Sequence, residues 1–216
     1  MTINKLITLG LLSAKMAQDS QAYTPSPSLR SWLKGFEGRV HHGGRHRVYD
    51  DKSNGRNWWD GKTPYDTWAR TIKGKPTIGH GTRVDLLPPQ LATFIKDKGG
   101  IKDEMADHLL NRHLADQERK LRRMHGPQWG EMNPNQQDAI RSLYYNLGTG
   151  GNTDTLKRAI RNRRWNQIPG ILPIYHKSGG KPNQGLINRR AGEVKIFNLP
   201  WRPPAPAPAP RGSDDT

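Results

Sequence analysis

The chain has no cysteine, which excludes disulfides, thiolate chemistry and the common cysteine-containing zinc sites and leaves the redox compartment open. Acidic residues are scarce: 19 Asp and Glu face 35 Lys and Arg, a formal net charge of +16. Long apolar runs are missing too. The nearest to one, Leu6 to Ala14 behind Lys5, is broken by Thr8, Gly10 and Ser13. It is far shorter than the ~20 apolar residues of an ordinary membrane span, so no stable span is expected. It reads either as the core of an export signal or as a surface helix or leader. Hydrophobic residues are only 32% of the 216, yet seven Trp, six Tyr and aliphatics gathered into periodic segments suffice for one real core.

A strong positive balance implies a polyanionic partner, and three compete: nucleic acid, lipopolysaccharide or anionic lipid, and the bacterial wall. Charge alone does not choose between them. Neither a zinc finger nor an aromatic RNA-binding sheet is recognisable, so specific nucleic-acid recognition is not expected.

Three regions follow from composition. Residues 1–27 form a leader and linker, polar and Pro-containing towards its end. Residues 28–200 carry the periodic patterns of one domain, and 201–216 form a tail whose Ala-Pro alternation to Pro210 favours extended polyproline II over a core. Within the domain, Leu29, Trp32, Leu33 and Phe36 recur at helical spacing, with Ser28 as the expected N-cap and Gly38 just past the end. Glu37 therefore belongs to a helix C-terminus.

From Gly38 to about Arg83, Gly, Asp, Asn, Thr and aromatics predict a small antiparallel sheet with long loops, turning at Ser53-Asn54-Gly55, Asp60-Gly61 and Lys73-Gly74. From about Pro88, helical patterns dominate: Met105 to Leu121, Asn135 to Leu147, Thr155 to Asn162 and Leu186 to Phe197. The expected fold class is α+β, mostly helical, with a small sheet lobe and a larger helical lobe flanking a cleft.

Five blocks in order carry a specific resemblance. They are Trp32-Leu33-Lys34-Gly35-Phe36-Glu37-Gly38, Val48-Tyr49-Asp50-Asp51, Pro76-Thr77-Ile78-Gly79-His80-Gly81-Thr82, the helix from Asn135 through Tyr145-Asn146-Leu147-Gly148, and Gly185-Leu186-Ile187-Asn188-Arg189-Arg190-Ala191 with Glu193. Together they resemble the phage-type lysozymes, glycoside hydrolase family 24.

The resemblance implies a lysozyme-like domain and a muramidase acting on bacterial peptidoglycan; a monomer is the ordinary expectation. It implies Glu37 as the acid, Asp51 as the second carboxylate that orients water, and Thr77 holding that water. Tyr145, Asn146 and Thr155 match sugar-contacting positions, and Arg189 matches the arginine that pairs with the acid. A phage endolysin, held in the host cytoplasm until release to the wall, is the implied setting, and a secreted bacterial muramidase is the alternative. The basic surface would attract anionic envelope polymers.

Such chemistry needs no metal and no cofactor, and without cysteine or a helical histidine pair His41, His42, His46 and His80 are not expected to bind one. The chain departs from the family in the long interval from Lys52 to Pro76 between Asp51 and Thr77. Asp50, Asp60 and Asp66 therefore compete with Asp51, each with an alternative role in a turn or cap. In that interval Trp58, Trp59, Tyr65 and Trp68 either pack on the small lobe or stack on sugars. Arg190 and Glu193 read as a structural pair or as surface charges. Two rival functions are a lytic transglycosylase, which needs one Glu only, and an inactive basic wall- or nucleic-acid-binding protein.

Overall fold

A computed structural model describes residues 26–36, 40–53 and 56–201. The apolar run Leu6 to Ala14, Glu37-Gly38, the Asn54-Gly55 turn and the Ala-Pro tail lie outside the described residues.

Helix α1 (Pro27–Phe36) starts two positions earlier than Ser28 as N-cap would dictate. Proline lacks an N–H and its fixed φ suits the first helical position, so Pro27 takes that place and Ser26 becomes the cap. The Ser26 hydroxyl accepts from the Leu29 N–H at 2.9 Å and donates to the Asp138 carboxylate. Leu29 and Leu33, four residues apart, are buried against Leu110 and Leu114; two such side chains contribute about 1.5–3 kcal/mol each.

The small lobe follows. Strands β1 (His41–His42) and β2 (Arg45–His46) form a hairpin, and β3 (Tyr49–Asp50), β4 (Pro76–Ile78) and β5 (Thr82–Arg83) form an antiparallel sheet in that order. Tyr49 pairs with Thr77, and Ile78 with Thr82. The interval between β3 and β4 is not only loop: it contains a short helix, α2 (Tyr65–Ala69). Five residues are too few to show periodicity. Trp59, Trp68 and half-buried Tyr65 join Val48, Ile78, Leu91 and Ile95 in the lobe's core. The packing role thus holds for these three aromatics, while Trp58 stacks on His42 at 4.1 Å.

Helix α3 (Pro89–Lys98) packs on the small lobe through Leu91 and Ile95, and the helical lobe comprises α4 (Asp103–His125), α5 (Pro127–Glu131), α6 (Pro134–Leu147), α7 (Asp154–Arg161) and α8 (Ile168–Ile171). A hairpin, β6 (Lys177–Ser178) and β7 (Lys181–Pro182), then leads to α9 (Gln184–Phe197). Asn133 and Gln136 make a reciprocal capping box at the start of α6. With 23 residues, α4 is about 35 Å long. It supplies Ala106 and Leu109 to the small-lobe core, Leu110 and Leu114 to the cluster under α1, and Leu121 to the helical core.

The helical core holds charge as well as hydrocarbon. Trp129, fully buried, donates through its indole N–H to Glu118 at 2.9 Å, and Glu118 pairs with Arg141 at 2.9 Å. Arg141 also holds Asp138 at 2.8 Å. Nearby, burial, with Lys157 second, pulls the pKa of His125 from 6.5 down to about 4. The folded state thus keeps this imidazole neutral, while the unfolded chain protonates it near 6.5. The associated stability is present in full above pH 6.5 and is lost as pH falls towards 4, roughly 3 kcal/mol in all. His80 and His113 shift in the same direction, each mainly through burial. Thermal melts at pH 7 and 4.5 should therefore show a loss on acidification that is smaller in His125→Gln; equal losses in the two proteins would remove His125 as its source.

Candidate functional site

The long interval before Thr77 is an excursion that returns in register. Its outward leg runs along β3, with the Asp50 N–H donating to Asn57 O at 2.8 Å and the Trp59 N–H to Val48 O at 2.7 Å. Its return leg meets Asp51: the Asp51 N–H donates to Lys75 O at 3.3 Å, and the Lys75 N–H to Asp51 Oδ1 at 2.8 Å. Asp51, exposed, consequently stays beside the strand that carries Thr77. Thr77 is buried, and its hydroxyl donates to Lys75 O at 3.1 Å.

The competing carboxylates are otherwise engaged. Asp50 is 3% exposed and accepts backbone N–H groups from Lys52, Lys73 and Gly74 at 2.9–3.1 Å. Asp60 caps its own turn, accepting from the Lys62 and Thr63 N–H groups, which hold its carboxyl below the usual range. Asp66 pairs with Lys96 at 3.3 Å. Gly74 is what allows both Asp50 and Asp51 to close on this turn: a Cβ there would lie 1.8 Å from Asp51 Oδ1 and 2.5 Å from Asp50 Oδ1.

Across from the sheet, the half-buried Tyr145 donates its hydroxyl to His80 O, joining α6 to the turn after β4. Its ring lies 4.7 Å from that of His113. Tyr145 also forms one wall of a cavity of about 460 Å³ between Gly81-Thr82-Arg83 and the α4 residues Arg112, His113 and Asp116. Asn146 is exposed and its side-chain oxygen accepts from Arg190 at 2.7 Å; Thr155 is exposed in the first turn of α7.

Beneath α1 lies a charged cluster with little access to water. Trp32 donates to Ser142 Oγ at 3.1 Å, and Ser142 donates to Glu193 at 2.7 Å. Glu193 is paired with Arg190 at 2.9 Å and Arg189 at 3.4 Å, and Arg189 also donates to Ser142 O at 3.2 Å. Arg190 and Glu193 are thus a buried structural pair and not surface charges. Burial lowers the Arg190 pKa to about 10 and pushes the Glu193 carboxyl up. A Cβ on Gly192 would sit 1.8 Å from the Trp32 ring, so glycine is needed for α1 to lie on α9. Helical periodicity could not expose this cluster, because it places charges outward.

Asp51, in the turn that follows β3, and Thr77, in β4, lie in the small lobe, while Tyr145 and Asn146 in α6, Thr155 in α7 and Arg189 in α9 lie in the helical lobe. Glu37 lies outside the described residues, directly after α1.

Residues 60–193 match the family described as Phage lysozyme. An endolysin of Bacillus phage PZA is 42% identical over 65 residues, covering 30% of this chain and a quarter (25%) of that relative's length. A variant of P22 lysozyme has a similar structure, with a TM-score of 0.56 and 23% identity over 81% of this chain and 98% of that one. The muramidase domain of SpmX from Asticaccaulis excentricus gives a TM-score of 0.55 with 21% identity, covering 82% and 99% of the two chains. These two likenesses concern the fold.

Proposed function

The chain belongs to the phage lysozyme family, and from that premise we propose that it is a muramidase hydrolysing the β-1,4 bond between N-acetylmuramic acid and N-acetylglucosamine in bacterial peptidoglycan. Glu37 protonates the leaving oxygen. Asp51 orients the attacking water on the other face of the sugar, with Thr77 beside it, and the configuration inverts. Tyr145, Asn146 and Thr155 hold the glycan, and Arg189 is assigned as the acid's partner. An endolysin role fits, with the enzyme kept in the host cytoplasm until it reaches the wall as a monomer. The charge of +16 then speeds encounter with the anionic envelope.

The observation that carries this reading is the return of the 52–75 excursion to Asp51. Exposed Asp51 stays beside the Thr77 strand, while Asp50 is consumed by three backbone N–H groups. The test is mass spectrometry of the fragments released from purified peptidoglycan. Wild type should give reducing-end muropeptides, and Asp51→Asn should cut their release by about 10²-fold or more. A fully active Asp51→Asn would move the second carboxylate elsewhere. Anhydro products would make the enzyme a transglycosylase, and no products would favour a binding protein.

A further inference from the structure

The fold adds one residue to the histidines that the sequence alone leaves scattered. His41 and His46 face each other across the β1–β2 hairpin. His46 is fixed by a pair of backbone hydrogen bonds with Ile101, at 2.8 and 3.0 Å, which sets it two residues from Asp103 in the first turn of α4. Gly100 permits that approach: its φ is +140°, and a Cβ there would lie 2.3 Å from His46 O.

The outcome is convergence on one oxygen. His46 Nε2 lies 2.9 Å and His41 Nε2 3.3 Å from Asp103 Oδ1, and the three possible ligand atoms all lie within 4.8 Å of one another. Bonds of about 2.0–2.1 Å to a tetrahedral zinc ion separate neighbouring ligand atoms by about 3.3 Å. The His41 separation of 3.3 Å matches that edge, and the His46 separation of 2.9 Å falls about 0.4 Å short of it. The side chain of His41 is 41% exposed, so it has room to turn towards a shared ion.

The neighbouring carboxylate is committed elsewhere, because Asp107 holds Lys34 at 2.5 Å and His80 at 3.1 Å. Asp103 is not drawn into that pair. Its side chain is 78% exposed, so an ion and a water can reach it.

We propose that His41, His46 and Asp103 bind one divalent transition-metal ion, zinc by ligand type, with the fourth position open to water. Two neutral imidazoles and one carboxylate form an ordinary three-ligand set for zinc. The ion ties the hairpin that follows α1 to α4 and so braces the small lobe against the helix that connects both lobes. The three residues are none of those assigned to the cleavage reaction, and the proposal does not depend on the muramidase reading.

The test uses the full chain, expressed without a histidine tag and stripped with a chelator, and titrated calorimetrically with Zn²⁺. Thermal melts with and without Zn²⁺ run alongside. The absence of cysteine removes thiolate background. One ion per chain and a raised melting midpoint are expected for wild type. Asp103→Asn and His41→Ala change exposed side chains, so their fold is retained, and each should bind at least about tenfold more weakly and lose the zinc-dependent rise. A wild type without stoichiometric binding, or binding of equal strength in all three proteins, overturns the proposal.

Discussion

Glu37→Gln should slow the release of muropeptides from purified peptidoglycan by about 10²–10⁴-fold, the usual contribution of a positioned general acid, while the circular dichroism and melting of the protein stay near wild type. Glutamine keeps the size of the side chain and deletes only the transferable proton. Under the proposed assignment two opposing influences are expected at the native carboxyl. Glu37 follows α1 directly in sequence, and a carboxyl at the negative pole of a helix is disfavoured from ionising. A guanidinium at Arg189 would favour it. The surroundings of Arg189 limit its pull, because the carboxylate of Glu193 lies 3.4 Å away and shares its charge. A Glu37→Gln protein as active as wild type would remove both the acid assignment and the single-Glu transglycosylase alternative.

The largest expected loss of stability lies one layer below. Glu193 has 0% exposure and Arg190 1%, so Glu193→Gln leaves two guanidinium groups in the protein interior without their carboxylate. Breaking a buried pair from one side costs about 3–5 kcal/mol. Glutamine retains the shape and can still accept from Ser142, so the loss would report charge and not a cavity. Urea unfolding is the measurement, read as a drop in midpoint at unchanged slope. A change below about 1 kcal/mol would mean that the two arginines reach water when the carboxylate is removed. Because Ser142 bonds both Glu193 and Trp32, a moderate fall in wall cleavage should accompany the loss, through displacement of α1.

Much of this was readable in advance, for definite reasons. Leu29 and Leu33 declare a helix by spacing, and Thr77-Ile78 before Gly79-His80-Gly81 declares a strand and a tight turn. The Asp51–Thr77 relation was readable only as a motif, since 25 intervening residues hide it from any local rule. The fold recovers it because the excursion closes through backbone bonds at Lys75. Ser28 is not the cap, because Pro27 takes the first helical position and moves the start of the helix two residues earlier, onto Ser26. The buried charges at Glu118, Asp138, Arg141, Arg190 and Glu193 were the least readable. Their burial depends on partners from three helices, and a pattern of polar and apolar residues along one helix carries no record of them.

The seat of Trp32 on Gly192 has a consequence for synthesis. The two residues are separated by about 160 positions, and at roughly 5–20 residues per second that is a delay of about 8–30 s between making α1 and making the surface it rests on. Until α9 has left the ribosome, the segment that leads into Glu37 lacks the partner that orients it. A nascent chain truncated before Gly185 is therefore expected to release no muropeptides, because α1 then has nothing to settle on.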